Sequence, residues 1–194
     1  MQKPHLTIGV MAAVAMAALS STAASAQTVH AIPAVAIAPA HATAALDDPT
    51  IVAIFDAANT WDIELGQLAL KKSHNKDVRM FADMMVRDHG AARKLGRDLA
   101  KKLHVTPTPP GKDFALYKDH VAALATLNAA SGAAFDKAYI DHEVSYHQAV
   151  IDAVTTTLLP ATKNEELKDL ELKVAPNFQA HLAAAKDLQK KLEK

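Results

Sequence analysis

The stretch FDKAYIDHEVSYHQAVIDAVTTTL, residues 135–158, decides the fold, because it combines a strong helical apolar stripe with the densest set of ligand-type side chains. Glu143 and His147 stand four residues apart. On a helix that spacing places them on one face, about 40° apart and about 6 Å apart along the axis. The same face carries Tyr139, Ile140, Val150, Ile151, Val154 and Leu158, so two polar groups interrupt an apolar stripe.

The same periodicity recurs on both sides of this helix. Towards the N-terminus, Asp47-Asp48-Pro49 starts a helix with carboxylates at the positive end of its dipole and proline in the first turn. That helix is expected over residues 49–73, with Ile51, Ile54, Phe55, Trp61, Leu65 and Leu68 inward. A second follows over 76–103, with Val78, Phe81, Met85, Ala92, Leu95 and Leu99 inward. The segment VTPTPPG, residues 105–111, stops it, since three prolines continue no helix. A shorter helix spans 112–129 and ends at Ser131-Gly132. Beyond the opening stretch, Leu159-Pro160 leads to a last helix over 164–192, which Pro176 should kink or split near Lys173.

No segment alternates with period two for more than a few residues. Four long amphipathic helices with tight first and last connections predict an antiparallel ferritin-like four-helix bundle, with an extra short helix in the connection between its second and third helices. The bundle domain is expected over residues 48–194.

Residues 1–26 have Lys3, an apolar run over 6–19 and a small-residue end, Ala24-Ser25-Ala26. This is the layout of a signal peptide cleaved after Ala26, and it implies an exported chain, periplasmic or outer-membrane associated. The apolar run of 14 residues is too short for a hydrocarbon core of about 30 Å, so no transmembrane segment is expected in the mature chain. Residues 27–47, rich in Ala, Pro and Val, read as a flexible linker. Cleavage removes Lys3 and leaves 20 basic against 21 acidic residues, a balance that argues against a nucleic-acid partner. The chain has no cysteine, which excludes disulfides and thiolate metal sites.

Each long helix carries one ligand-type residue near its midpoint: Glu64, His89, His147 and His181. Antiparallel packing of helices of similar length brings midpoints to one level, so these four are expected within about one turn of a common layer. Asp88 and Glu143 stand beside them as supporting groups. Buried charges and unpaired imidazoles cost several kcal/mol, so the layer must be satisfied. Three readings are open: one transition-metal ion (zinc, copper, iron or manganese), a metal-free network of His–Glu and His–Asp hydrogen bonds, or side chains turned to solvent at the edge of the stripe. Met80, Met84 and Met85 at helical spacing read as core filler rather than a copper site. His120 is expected at a surface or helix interface, and Asp141-His142 faces away from the Glu143/His147 stripe. Neither a strained nucleophile turn nor a Gly-rich phosphate loop is found.

The segments ELGQLAL at Glu64, FADMMVRDHGAA around His89, LNAASGAAFDKAYI, YHQAV with His147 and PNFQAHL with His181 resemble the bacterial family known as domain of unknown function 4142, whose members are expected to be secreted or outer-membrane proteins with ferritin-like bundles. The resemblance covers residues 49–192 and maps the family's acidic and histidine positions onto Glu64, Asp88, His89, His147 and His181. Val86 and Phe178 stand three residues before His89 and His181, where a di-iron Glu-x-x-His pair needs glutamate. The family has no assigned reaction, so the functional expectation is an exported bundle with an envelope or stress role that holds one metal ion in the Glu/His layer. The alternatives are a redox or hydrolytic metalloenzyme using that layer and a metal-free module that contacts an envelope component.

Overall fold

The computed structural model describes residues 46–112 and 114–194. The expected signal peptide and nearly all of the expected linker lie outside them. Among the described residues there is no strand, and the elements are α1 (Asp48–Lys72), α2 (Lys76–Lys102), α3 (Ala115–Ala129), α4 (Gly132–Ala153), a π-helical turn (Val154–Leu158), α5 (Leu159–Ala161) and α6 (Glu165–Leu192).

Caps set the ends of three long helices. The Asp47 carboxylate accepts the Thr50 N–H at 2.9 Å, Asn75 accepts from Asp77 and Val78, and Asn164 accepts from Leu167. Each satisfies an amide that the first turn would leave without a partner. Lys71 and Lys72, Lys101 and Lys102, and Lys190 and Lys191 close the same helices with charge that suits the dipole.

The molecule is an all-α helical bundle whose neighbours run antiparallel. Gly66 of α1 faces Ala82 of α2 while Phe55 meets Gly96, so the chain reverses across the three-residue turn at 73–75. On α6, Lys191 reaches Asp77 at 3.6 Å and His181 reaches Asp88 at 3.1 Å, which reverses α6 against α2. Gln189 reaches Asp141 at 2.7 Å and Lys186 reaches Gln148 at 3.5 Å, which reverses α6 against α4. The α1–α2 contact needs glycine, since a Cβ on Gly96 would stand 2.7 Å from the Phe55 ring. α3 lies against α4 and α1, and Lys72 donates to the carbonyls of Leu127 and Asn128 at its C-terminal end.

Three apolar clusters fill the bundle, and the two largest lie at different heights. One holds Leu65, Phe81, Met85, Phe135, Tyr139 and Ala185, and the other Ile51, Ile54, Ala100, Val154, Leu158 and Leu167. Residues near 59–62, 89, 143–147 and 181 fall between them, so the sequence places its polar groups where neither cluster reaches.

Two local features differ from the sequence reading. α6 passes Pro176 without the expected split. The proline frees the carbonyl of residue 172, four positions earlier, and Leu172 lies on the exposed side, where water can accept that carbonyl's demand. The opening stretch is not one α-helix to residue 158, because Val154–Leu158 forms a π turn. Pro160 lacks an N–H and crowds the carbonyl four residues before it, and a wider turn relieves both. Thr155 and Thr156 add side-chain hydrogen bonds to the Ile151 and Asp152 carbonyls in that stretch.

Candidate metal centre

His89, His147 and His181 come together between the clusters, each buried, and each offers a ring nitrogen within 4.8 Å of the others. Their ring centroids form a nearly equilateral triangle with sides of 5.5, 5.1 and 5.4 Å.

The orientation of each ring is fixed by a hydrogen bond on its far nitrogen. Asn59 donates its amide N–H to the Phe55 carbonyl at 2.8 Å, which leaves Asn59 Oδ1 to accept from His89 Nδ1–H at 2.9 Å. His147 Nδ1–H donates to the Glu143 carbonyl at 3.0 Å. His181 Nε2–H donates to Asp88 Oδ2 at 3.1 Å, and Arg87 holds Asp88 in turn at 2.8 Å. In all three the remaining nitrogen, His89 Nε2, His147 Nε2 and His181 Nδ1, is buried with no partner. An outer acceptor on one nitrogen and a bare lone pair on the other is how metal-binding imidazoles are held.

Asp62 completes the group. Its Oδ2 lies 3.2 Å from His89 Nε2 and 3.7 Å from His147 Nε2, in neither case aligned for a hydrogen bond. Glu143 stands behind, its Oε2 3.3 Å from His147 Nδ1. Asp62, Glu143 and His147 form a second set with ligand atoms within 4.8 Å. Burial, with Glu143 beside it, pushes the Asp62 carboxyl well above the usual carboxylate range. Burial likewise raises Glu143 to about 8. Burial, reinforced by His147 and His181, holds His89 well below the usual imidazole value, and burial lowers His181 against the opposing pull of Asp88. Asp62, Glu143, His89 and His181 are thus driven towards neutrality.

Eight buried polar atoms here have no hydrogen-bond partner: both oxygens of Asp62 and of Glu143, the three bare imidazole nitrogens and the Tyr139 hydroxyl. Each such atom costs about 1–3 kcal/mol, against a total stability of about 5–15 kcal/mol for a domain. A void of about 10 Å³, bordered by Asp62, His89, His147 and Phe178 among others, lies at the group. It has room for one atom-sized guest.

The structure does not bring Glu64 into this layer. Its side chain is 53% exposed and its Oε2 takes a hydrogen bond from His120 Nε2 at 3.1 Å. Asp62, which the sequence reading passed over, occupies the α1 position. The signal was present: at 100° per residue Asp62 lies within about 20° of Ile51, Phe55 and Ala69, whereas Glu64 lies about 160° away. Asn59 was missed for a different reason, since orienting a histidine leaves no mark on an apolar stripe. His120 is buried at a helix interface, stacked on Trp61 at 5.2 Å. His142 is outside the layer and stacks on Tyr146 at 5.4 Å. Met85 is core and Met80 exposed, in separate surroundings.

Fold and site together define an all-α helical bundle with a buried layer of histidines and carboxylates able to hold a metal ion. The model of the domain of unknown function family DUF4142 matches residues 33–188, and the chain belongs to that family. A solved structure, described as a crystal structure of a DUF305 fragment from Deinococcus radiodurans, is similar with a TM-score of 0.65 and 13% identity, covering 74% of this chain and 95% of that one. At that identity the likeness is one of fold. No curated protein matches the chain. Among the described residues no helix is long and apolar enough to cross a membrane.

Proposed function

We propose that the chain is an exported protein that binds one divalent first-row transition ion through His89 Nε2, His147 Nε2, His181 Nδ1 and a carboxylate oxygen of Asp62. The observation that carries this reading is the convergence of four unpartnered ligand groups, three of them imidazoles whose outer nitrogens are already engaged. With metal–ligand bonds of about 2.05 Å, a tetrahedral site has ligand–ligand edges of about 3.3 Å. The Asp62–His89 and Asp62–His147 separations of 3.2 and 3.7 Å bracket that length. Three imidazoles and a carboxylate suit zinc, copper, iron or manganese by donor type. A purely hydrogen-bonded layer is the weaker account, because the three bare nitrogens are acceptors and the one carboxyl beside them, a protonated Asp62, could donate to only one of them at a time. Export rests on the pattern of residues 1–26, and the role it suggests is metal handling in the cell envelope.

The test is elemental analysis of the mature protein after dialysis at neutral pH, with and without added zinc, copper, iron or manganese. One equivalent is expected in the wild type and in Glu64→Gln, and none in Asp62→Ala or His147→Ala. Less than about a tenth of an equivalent of every metal in the wild type would refute the proposal.

A further inference from the structure

A cleft of about 320 Å³ lies between α1, the start of α3 and the proline-rich segment before it, bordered by Trp61, Tyr117 and the rings of Pro107, Pro109 and Pro110. That volume falls at the lower end of the range for small-molecule sites, about 300–1,000 Å³. Its walls are held before any guest arrives. His120 stacks on Trp61 at 5.2 Å and is itself tied to Glu64, yet takes no part in lining the cleft, so the indole is braced on one side and meets the cleft on another. Tyr117 packs on Trp61 with ring centroids 6.1 Å apart and planes at 56°, which makes a bent aromatic floor. The Thr108 N–H donates to the Pro49 carbonyl at 3.1 Å and the Phe114 N–H to the Gly111 carbonyl at 3.0 Å, so the proline segment is pinned as well. A preformed site loses little entropy when it binds.

Asp56 and Lys112 are the charged groups in the lining, and they select the guest. Arg97 grips Asp56 with hydrogen bonds of 2.5 and 2.9 Å, and Arg93 adds a third at 3.3 Å. A carboxylate has about four acceptor sites, so one stays open in a fixed direction. Lys112 is exposed and brings only donors. The cleft therefore joins an aromatic floor to one acceptor and one donor. An apolar guest answers neither polar group, and a proline-rich peptide, with rings and carbonyls, answers Lys112 but offers Asp56 nothing. A pyranose ring answers all three. Its C–H face lies against the electron-rich faces of the aromatic rings, and its hydroxyls both donate to Asp56 and accept from Lys112.

We propose that this cleft binds a pyranose saccharide, stacked on Trp61 and Tyr117 with hydroxyls on Asp56 and Lys112. The site lies apart from the histidine layer and does not depend on a bound ion. Trp61 is the single tryptophan of the chain, so its emission reports on the cleft directly. The test titrates the full chain with linear tetrasaccharides of β1,4-linked N-acetylglucosamine, β1,4-linked glucose and α1,4-linked glucose, and with decaproline. At least one saccharide should give a saturable change in emission. Its affinity should fall about tenfold in Tyr117→Ala and measurably in Lys112→Ala, both changes at exposed positions, with melts close to wild type. No response to any saccharide, or equal affinity in wild type and both variants, overturns the proposal. A response to decaproline without one to the saccharides also overturns it, and assigns the cleft to a proline-rich peptide.

Discussion

Glu143→Gln separates the electrostatic cost of the layer from its packing. The Glu143 carboxyl is fully buried, and its pKa is raised to about 8 by burial, against about 4.3 in an unfolded chain. Below pH 4 both states hold the proton and the group is neutral in both. As pH rises, the unfolded chain ionises first while the folded chain keeps its proton, so the unfolded state binds fewer protons and stability falls with pH. The loss is about 1.4 kcal/mol per pH unit and totals about 5 kcal/mol by pH 8, beyond which it stops growing. His89 and His181, with lowered pKa values, act in the opposite sense: their contribution rises with pH and is complete above about 6.5. Between pH 6.5 and 8 the two histidines are flat, the raised Asp62 and Glu171 slope in wild type and variant alike, and Glu143 removes about 2 kcal/mol of its own. Glutamine has the same shape and does not titrate. It introduces an unpartnered amide, worth about 1–3 kcal/mol, but that penalty is the same at every pH. Urea unfolding of chelator-treated wild type and Glu143→Gln at half-unit intervals should give curves that diverge by about 2 kcal/mol across that window. Parallel curves would show that the carboxyl is not held neutral by burial, and the account of the layer's electrostatics would fail.

Two further changes test other parts of the structure. Gly96→Ala places a methyl 2.7 Å from the Phe55 ring and should destabilise the fold by about 1–3 kcal/mol, whereas Gly90→Ala meets nothing within 4 Å and should stabilise by about 0.8–1 kcal/mol through helix propensity. Thermal melts of the pair check both, and equal signs would mean that the α1–α2 approach is misjudged. Asp88→Asn keeps the side chain's shape but removes the charge that accepts from His181 Nε2–H, and metal affinity should fall about 10–100-fold with little change in the metal-free melt.

The starts of three long helices were legible to within a residue of the expected 49, 76 and 164, although the sequence reading marks only the Asp47-Asp48-Pro49 start as a signal, and the structure adds Asn75 and Asn164 as caps of the other two. Depth along the bundle was legible too, because antiparallel packing ties position in the helix to height in the molecule. Three histidines identified by midpoint do meet. The expectation failed on α1 in angle and not in height. Glu64 and Asp62 differ by two residues, about 3 Å along the axis but about 160° around it, and the expected inward face reached round to Trp61 and Leu68. Trp61 turns instead to His120, which also takes the Glu64 carboxylate, so α3 draws both residues outward. That pull comes from an element about 55 residues away and leaves no local trace. The π turn was hidden for a related reason, since a proline three residues beyond a threonine run fits an ordinary helix end as well.

If the centre holds an ion as proposed, the raised carboxyls make its affinity a function of pH. A dication about 5 Å from Glu143 favours its ionised form by roughly 6–7 kcal/mol at an effective dielectric of 20, more than the roughly 5 kcal/mol by which burial disfavours it. Binding therefore expels the Glu143 proton below pH 8, and each expelled proton adds about tenfold in apparent affinity per pH unit. Above pH 8 Glu143 is already ionised and its contribution to the slope ends. Cobalt titrations against a competing chelator between pH 6.5 and 9 should show affinity rising and then levelling, and Glu143→Gln should flatten the lower limb by about one proton. Asp62, also raised, keeps some slope in that variant. Identical slopes in wild type and variant would place the ion too far from Glu143 for the two to interact, and the centre would have to be moved towards His181 and Asp88.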